Sequence, residues 1–185
     1  MDTKTVKDLM VPLDEYAVVP EEATLLDAII ALEEAQKRLP EGRQPHRAVL
    51  VAGKNKKIVG KVGQLAFLKA LEPKYNVLGD LEMLARAGVQ SDFISSMMEN
   101  YQFFQDSLTD LCWRGRNIRV RDVMRPVAEH INENASLREA IHQIIMLQTL
   151  SILVTRGSEV VGLLRLSDLY EEVAAQIKNA PSECE

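Results

Sequence analysis

The sequence predicts a mixed α/β (α+β) fold of two β-α-β-β-α repeats separated by a helical insertion. Three observations carry this. The segment Val6-Lys7-Asp8-Leu9-Met10-Val11-Pro12 returns as Val120-Arg121-Asp122-Val123-Met124-Arg125-Pro126. Each copy is followed by a helix start, Ala23-Thr24-Leu25-Leu26-Asp27-Ala28-Ile29 and Ala135-Ser136-Leu137-Arg138-Glu139-Ala140-Ile141. Each helix is followed by a hairpin with a Val-Gly pair in its second strand, Val59-Gly60 and Val161-Gly162. A duplicated unit of roughly 60 residues suggests half-modules that pack on each other, with any site in the seam.

The first repeat is expected over residues 1–71. Tyr16 to Val19 reads as a short strand. Thr24, with Asp27 three residues on, caps a helix whose face is Leu25, Ala28, Ile29 and Leu32. Pro40-Glu41-Gly42 ends that pattern, and a long loop reaches His46. Ala48 to Val51 is a buried strand, Gly53 to Lys57 a turn and Ile58 to Val62 the return strand. A short helix over about Gln64–Leu71 closes the unit.

The second repeat is expected over residues 118–178. Ser136 and Glu139 form a capping box, and Leu137, Ala140, Ile141, Ile144 and Ile145 an apolar stripe. Ser151 to Thr155 and Val160 to Leu164 are the hairpin, and about Ser167–Ile177 the closing helix. The loop between Gln36 and His46 has no counterpart of its length here.

Residues 72–117 are too long and too apolar for a plain linker. Leu78 to Ala85 suggests a helix ending near Gly88, and Phe93 to Cys112 a longer amphipathic one after Ser91. Cys112 reads as core on its apolar stripe. Residues 179–185 read as a flexible tail.

The 185 residues are 46% apolar and 26% charged, with a net charge of −5. That balance is globular, with no broad nucleic-acid surface. No apolar run approaches the ~20 residues of a membrane span, and the N-terminus lacks a signal-peptide pattern. The two cysteines, Cys112 and Cys184, form no disulfide framework, so a cytoplasmic setting is expected. His46, His130 and His142 are scattered, with no metal-ligand spacing. No catalytic constellation is present, and no enzyme activity is expected. Arg114, Arg116, Arg119, Arg121 and Arg125 form one dense basic run. A solvated connector paired with nearby acids is preferred there to a nucleic-acid contact.

The repeated Val-x-Asp-Leu/Val-Met-x-Pro, the Thr/Ser-Leu helix start and the Val-Gly strand leading to Ser167-Asp168-Leu169 resemble a tandem pair of cystathionine-β-synthase (CBS) domains, a Bateman module. The resemblance implies two units about a pseudo-twofold axis, two clefts between their sheets, and disk-like homodimers. It implies regulatory binding of AMP, ADP, ATP or S-adenosylmethionine, energy sensing included, with no required cofactor and an unknown effector protein. In family members that bind adenosine ligands, Gly-x-x-Thr/Ser-x-x-Asp supplies a ribose carboxylate and a phosphate donor. Here that stretch is Gly162-Leu163-Leu164-Arg165-Leu166-Ser167-Asp168, which assigns the ribose to Asp168. Arg165 replaces the hydroxyl residue, and either forks onto phosphate or fills the cleft. Ser167 is a second donor, or with Asp168 a helix cap. The opposite wall is implied around Pro12, Ala17, Val18, Pro45 and His46. In the first repeat Gly63 and Ala66 occupy the matching positions, so that cleft has lost its acceptor. A structural or interaction module with degenerate clefts is the alternative.

Overall fold

The computed structural model describes residues 4–78, 88, 91–103, 105–127 and 129–180. In chain order the first part is α1 (Val6–Leu9), β1 (Val11–Pro12), β2 (Val18–Pro20), α2 (Leu25–Lys37), β3 (Ala48–Ala52), β4 (Ile58–Gly63) and α3 (Gln64–Ala70). The insertion contributes α4 (Ser91–Tyr101) and α5 (Leu108–Gly115). Then follow α6 (Val120–Val123), β5 (Arg125–Pro126), β6 (His130–Asn132), α7 (Leu137–Leu147), β7 (Ser151–Arg156), β8 (Glu159–Arg165) and α8 (Leu166–Asn179).

Two four-stranded sheets result, in the orders β2-β3-β4-β5 and β1-β8-β7-β6. Each has a parallel pair, β2 with β3 and β6 with β7, joined through a helix, and an antiparallel hairpin. The edge strands are exchanged. β1 pairs with β8 through Val11↔Leu163, and β5 pairs with β4 through Lys61↔Arg125. The repeated motif thus leads each repeat into the other repeat's sheet.

This exchange explains the Met and the Gly of the repeated pattern. A Cβ on Gly162 would lie 2.6 Å from the Val11 carbonyl oxygen and 2.9 Å from Met10 Sδ. A Cβ on Gly60 would lie 2.5 Å from Met124 Sδ and 3.0 Å from the Arg125 oxygen. Only a residue without a side chain admits the incoming strand so closely. Val6 accordingly joins the core of the second repeat, and Val120 that of the first. A third apolar cluster of Val11, Tyr16, Leu50, Leu153 and Leu163 fills the seam between the sheets.

The caps differ from the sequence expectation. Thr24 and Asp27 form the full reciprocal box, with the Thr24 N–H donating to Asp27 Oδ2 at 2.8 Å. At Ser136 only one arm forms, from the Glu139 N–H to Oγ at 3.2 Å. The apolar stripes are narrower than the pattern suggests: Ile29 and Ile145 are exposed, because only one side of each helix meets its sheet.

The insertion departs further. The single long helix expected from Phe93 to Cys112 is two, α4 and α5. Gln102 takes a left-handed backbone (φ 51°), and Ser107 caps α5 by accepting the Asp110 N–H at 3.2 Å. Phe103 is buried and stacks on Tyr75 with centroids 4.6 Å apart. Leu111 is buried in α5, whereas Cys112 is exposed: the helix turns Leu111 and Gly115 inward and Cys112 outward, correcting its core assignment. Of the helix expected over Leu78 to Ala85, Leu78 ends a 3-10 turn over Pro73–Leu78, and the rest lies outside the described residues. No helix among the described residues is long and apolar enough to cross a membrane.

Candidate functional site

β8 runs into α8 without a loop, which places Arg165 at the junction and Asp168 in the first helical turn. Three residues apart across a helix start, their side chains face each other. Arg165 Nε donates to Asp168 Oδ2 and Nη2 donates to Oδ1, both at 2.5 Å. The two side chains are only 6% and 10% exposed. Desolvation of this degree makes a bidentate geometry necessary, since either charge alone would be strongly disfavoured.

The same guanidinium crosses the seam. Nη1 donates to the Gln44 carbonyl oxygen at 2.8 Å and lies 3.3 Å from His46 Nδ1. The long loop of the first repeat supplies both partners. It is anchored by Gln36 Nε2 donating to the His46 carbonyl at 3.0 Å, and Gln44 Nε2 reaches Glu171 at 2.9 Å. His46 is fully buried and packs on Tyr16 with ring centroids 4.3 Å apart. Arginine can only donate, so Nδ1 must accept, and the imidazole proton belongs on Nε2. Burial, then the Arg165 charge, hold the His46 pKa below 6.5, against the Glu15 backbone and Asp168. Burial pushes the Tyr16 hydroxyl up to about 12, with Arg165 opposing and Asp168 adding to the rise. The site therefore holds a neutral imidazole and a neutral phenol around one ion pair.

Arg165, Asp168 and His46 come together as one cluster. Ser167 is half-buried beside them and makes no cap, nor does Asp168, whose oxygens face the guanidinium. Pro12 is half-buried opposite Gly162, and Pro45 is exposed next to His46. Ala17 is buried in the first repeat's own core, while Val18 is 38% exposed. Sequence reasoning missed Tyr16 and Gln44. Tyr16 carried a signal, an aromatic at a strand start; Gln44 contributes through its backbone and carried none.

In the other cleft Gly63 and Ala66 stand where Arg165 and Asp168 stand in the first, and Ala66 packs against the first repeat's core. Lys61, two residues earlier on the same strand, was also missed. Its Nζ crosses the seam in the opposite sense and donates to Thr149 Oγ1 at 3.2 Å, Ser151 O at 3.0 Å and Ser151 Oγ at 3.3 Å. Burial, followed by Arg125, lowers its pKa, and Glu129 opposes.

The basic run is engaged within the chain. Arg114 pairs with Asp106 at 2.5 Å, Arg121 with Glu22 at 2.5 Å, and Arg119 donates to the Glu22 carbonyl at 2.5 Å. Among the described residues no group of three His, Cys, Asp or Glu side chains is placed to hold a metal ion.

The family model of the CBS domain matches residues 120–175. No curated protein sequence matches the chain. Among solved structures, a CBS domain-containing protein of unknown function from Bacillus anthracis str. Ames Ancestor has 14% identity and a TM-score of 0.61, covering 95% of this chain and 96% of its own. CBSX2 in complex with AMP has 19% identity and a TM-score of 0.56, covering 95% and 98%. The CBS domain of the bacterial CNNM/CorC family Mg2+ transporter in complex with ATP has 16% identity and a TM-score of 0.58, covering 94% and 89%. The CBS-domain family model thus falls on the second repeat, and the chain as a whole has the fold of a tandem CBS pair.

Proposed function

We propose that the protein is a regulatory module that binds an adenine nucleotide or related adenosine ligand in the cleft of Asp168 and signals to a partner protein. The observation that carries this is the convergence at the α8 start. A carboxylate and a guanidinium from the second repeat meet an imidazole and a phenol from the first. Asp168 accepts the ribose hydroxyls; Arg165, Ser167 and His46 face the phosphate end. Pro12, Val18 and Pro45 form the base-binding side, with Ala17 supporting it from the first repeat's core. Neighbours solved with AMP and ATP support the ligand class. A ligand bridging both repeats shifts the population of their relative arrangements, and an effector protein reads that shift.

We place the module in the cytoplasm as a homodimer, with energy sensing as one role suited to AMP, ADP or ATP. The exposed apolar residues Leu65 and Leu68 on α3 and Tyr170 and Ile177 on α8 suit the dimer contact. A monomer in sedimentation at micromolar concentration removes the dimer.

Calorimetry with AMP, ADP, ATP and S-adenosylmethionine tests the binding. Saturable binding is expected, with Asp168→Ala weakening it at least tenfold and Ala66→Ser leaving it within about twofold. No heat with any of the four overturns the nucleotide reading. An interaction module with a closed cleft then stands, favoured by the engagement of both Asp168 oxygens with Arg165.

A further inference from the structure

We infer that Arg165 restricts the Asp168 cleft to adenosine ligands that carry a phosphate, against neutral adenosine and cationic S-adenosylmethionine. The inference rests on the adenosine reading of the cleft and narrows it to one ligand class.

Both oxygens of Asp168 receive guanidinium N–H groups, and both side chains are almost fully buried. Ribose hydroxyls that donate to Asp168 must displace at least part of this fork. A ligand that takes the carboxylate and offers the guanidinium nothing leaves a buried cation without its counter-charge, the least favourable state of a buried pair. A phosphate removes the difficulty. It presents the same planar pair of acceptors that the carboxylate did, and the guanidinium fork matches it. Hydroxyls pass to Asp168, phosphate oxygens pass to Nε and Nη2, and every charged group keeps a partner.

The rest of the site holds the guanidinium ready for this exchange. Nη1 stays on the Gln44 carbonyl and His46 Nδ1, and only Nε and Nη2 are exchanged. Those contacts come from the first repeat, so Arg165 keeps its place when Asp168 turns to the ligand. Adenosine has the hydroxyls without the acceptor. S-adenosylmethionine places its sulfonium where AMP has its phosphate. Its carboxylate lies further out beside an ammonium, so it brings a net positive charge toward an existing cation. A Thr or Ser at this position would impose no such demand, because a hydroxyl is neutral and can reorient.

Calorimetry on the wild-type chain at one salt concentration compares AMP, adenosine and S-adenosylmethionine. AMP is expected to bind roughly a hundredfold more tightly than adenosine, with S-adenosylmethionine no tighter than adenosine. Arg165→Ser should lower the AMP-to-adenosine ratio below about tenfold, with adenosine binding more tightly than it does to wild type. Equal binding of adenosine and AMP by wild type overturns the inference and leaves the adenosine reading standing. So does an unchanged ratio in the Ser variant. Binding of none of the three, nor of ADP or ATP, removes the reading itself and this inference with it. Should Arg165→Ser lose its circular dichroism signature, Arg165→Lys keeps the cation and loses the fork. It should also reduce the ratio, and a ratio equal to wild type overturns the inference.

Discussion

Arg165 crosses one cleft and Lys61 the other, and the two cations are held in different ways. Arg165 leaves the second repeat for Gln44 and His46 of the first and carries its own counter-charge in Asp168. Lys61 leaves the first repeat for Thr149 and Ser151 of the second, where three neutral oxygens receive it. The cross-strand neighbours diverge in parallel: Val11 faces Leu163 in one sheet, and Arg125 faces Lys61 in the other. The duplication preserved the direction in which each repeat reaches across the seam, while the charge arrangement at each end changed independently. A cation with a buried partner is a committed unit, and a cation on neutral dipoles is replaceable.

The sharpest break of this comparison is Arg165→Met. It leaves the Asp168 carboxylate buried and unpaired and should cost about 3–5 kcal/mol. The double variant Arg165→Met/Asp168→Leu removes both charges and should recover most of that loss. Urea titration of four chains, wild type, Arg165→Met, Asp168→Leu and the double variant, gives the coupling directly. A single variant as stable as the double would show that the ion pair is not the unit described.

The repeats and hairpins were legible in the sequence because they depend on local order: a capped helix, an alternating strand, a turn, a return strand. The exchange of β1 and β5 between sheets was not, since a short strand carries no mark of which sheet it will join. Only the Gly60 and Gly162 pair, read as a demand for close backbone approach, pointed toward it. Arg165 and Asp168 were legible by position, but their fork required knowing that both are desolvated. His46 in a Pro- and Gly-containing loop read equally well as a surface residue; its burial comes from Tyr16 and Arg165, which are distant in sequence. Cys112 was misleading because α5 turns a single side, Leu111 and Gly115, toward the module.

A smaller effect compares the two glycines. Gly162→Ala drives a methyl toward the Val11 carbonyl at 2.6 Å, a backbone atom held in the β1–β8 ladder. It should cost about 1–3 kcal/mol, as overpacking does. Gly60→Ala meets the thioether end of Met124 first, and the backbone only at 3.0 Å. A methionine end can rotate away, so this variant should cost less than Gly162→Ala, by about 1 kcal/mol. Thermal unfolding of the two variants ranks them, and equal losses would mean that the two exchanged strands are equally rigid.

The smallest effect is expected at Lys61→Met, and it tests the other half of the comparison. The substitution keeps an unbranched chain across the seam and removes an ammonium whose charge has no carboxylate within salt-bridge distance among the described residues. The Ser151 carbonyl still accepts from Thr149 Oγ1 at 3.0 Å, so the backbone acceptor is not orphaned. A change within about 1 kcal/mol is expected at neutral pH, as for other replacements of a buried charge by a packed apolar group. The pH dependence has a definite sign. Burial lowers the Lys61 pKa from 10.5, so the unfolded chain binds its proton more readily than the folded one. Above about 10.5 both states are neutral and the fold is not penalised; as pH falls through that value toward neutrality, the wild-type penalty accrues. The Met variant has no such group and should gain on wild type over the same interval. A loss at neutral pH as large as that of Arg165→Met would make Glu129, whose charge already opposes the lowering of the Lys61 pKa, a full counter-charge, and the two clefts would then be alike after all.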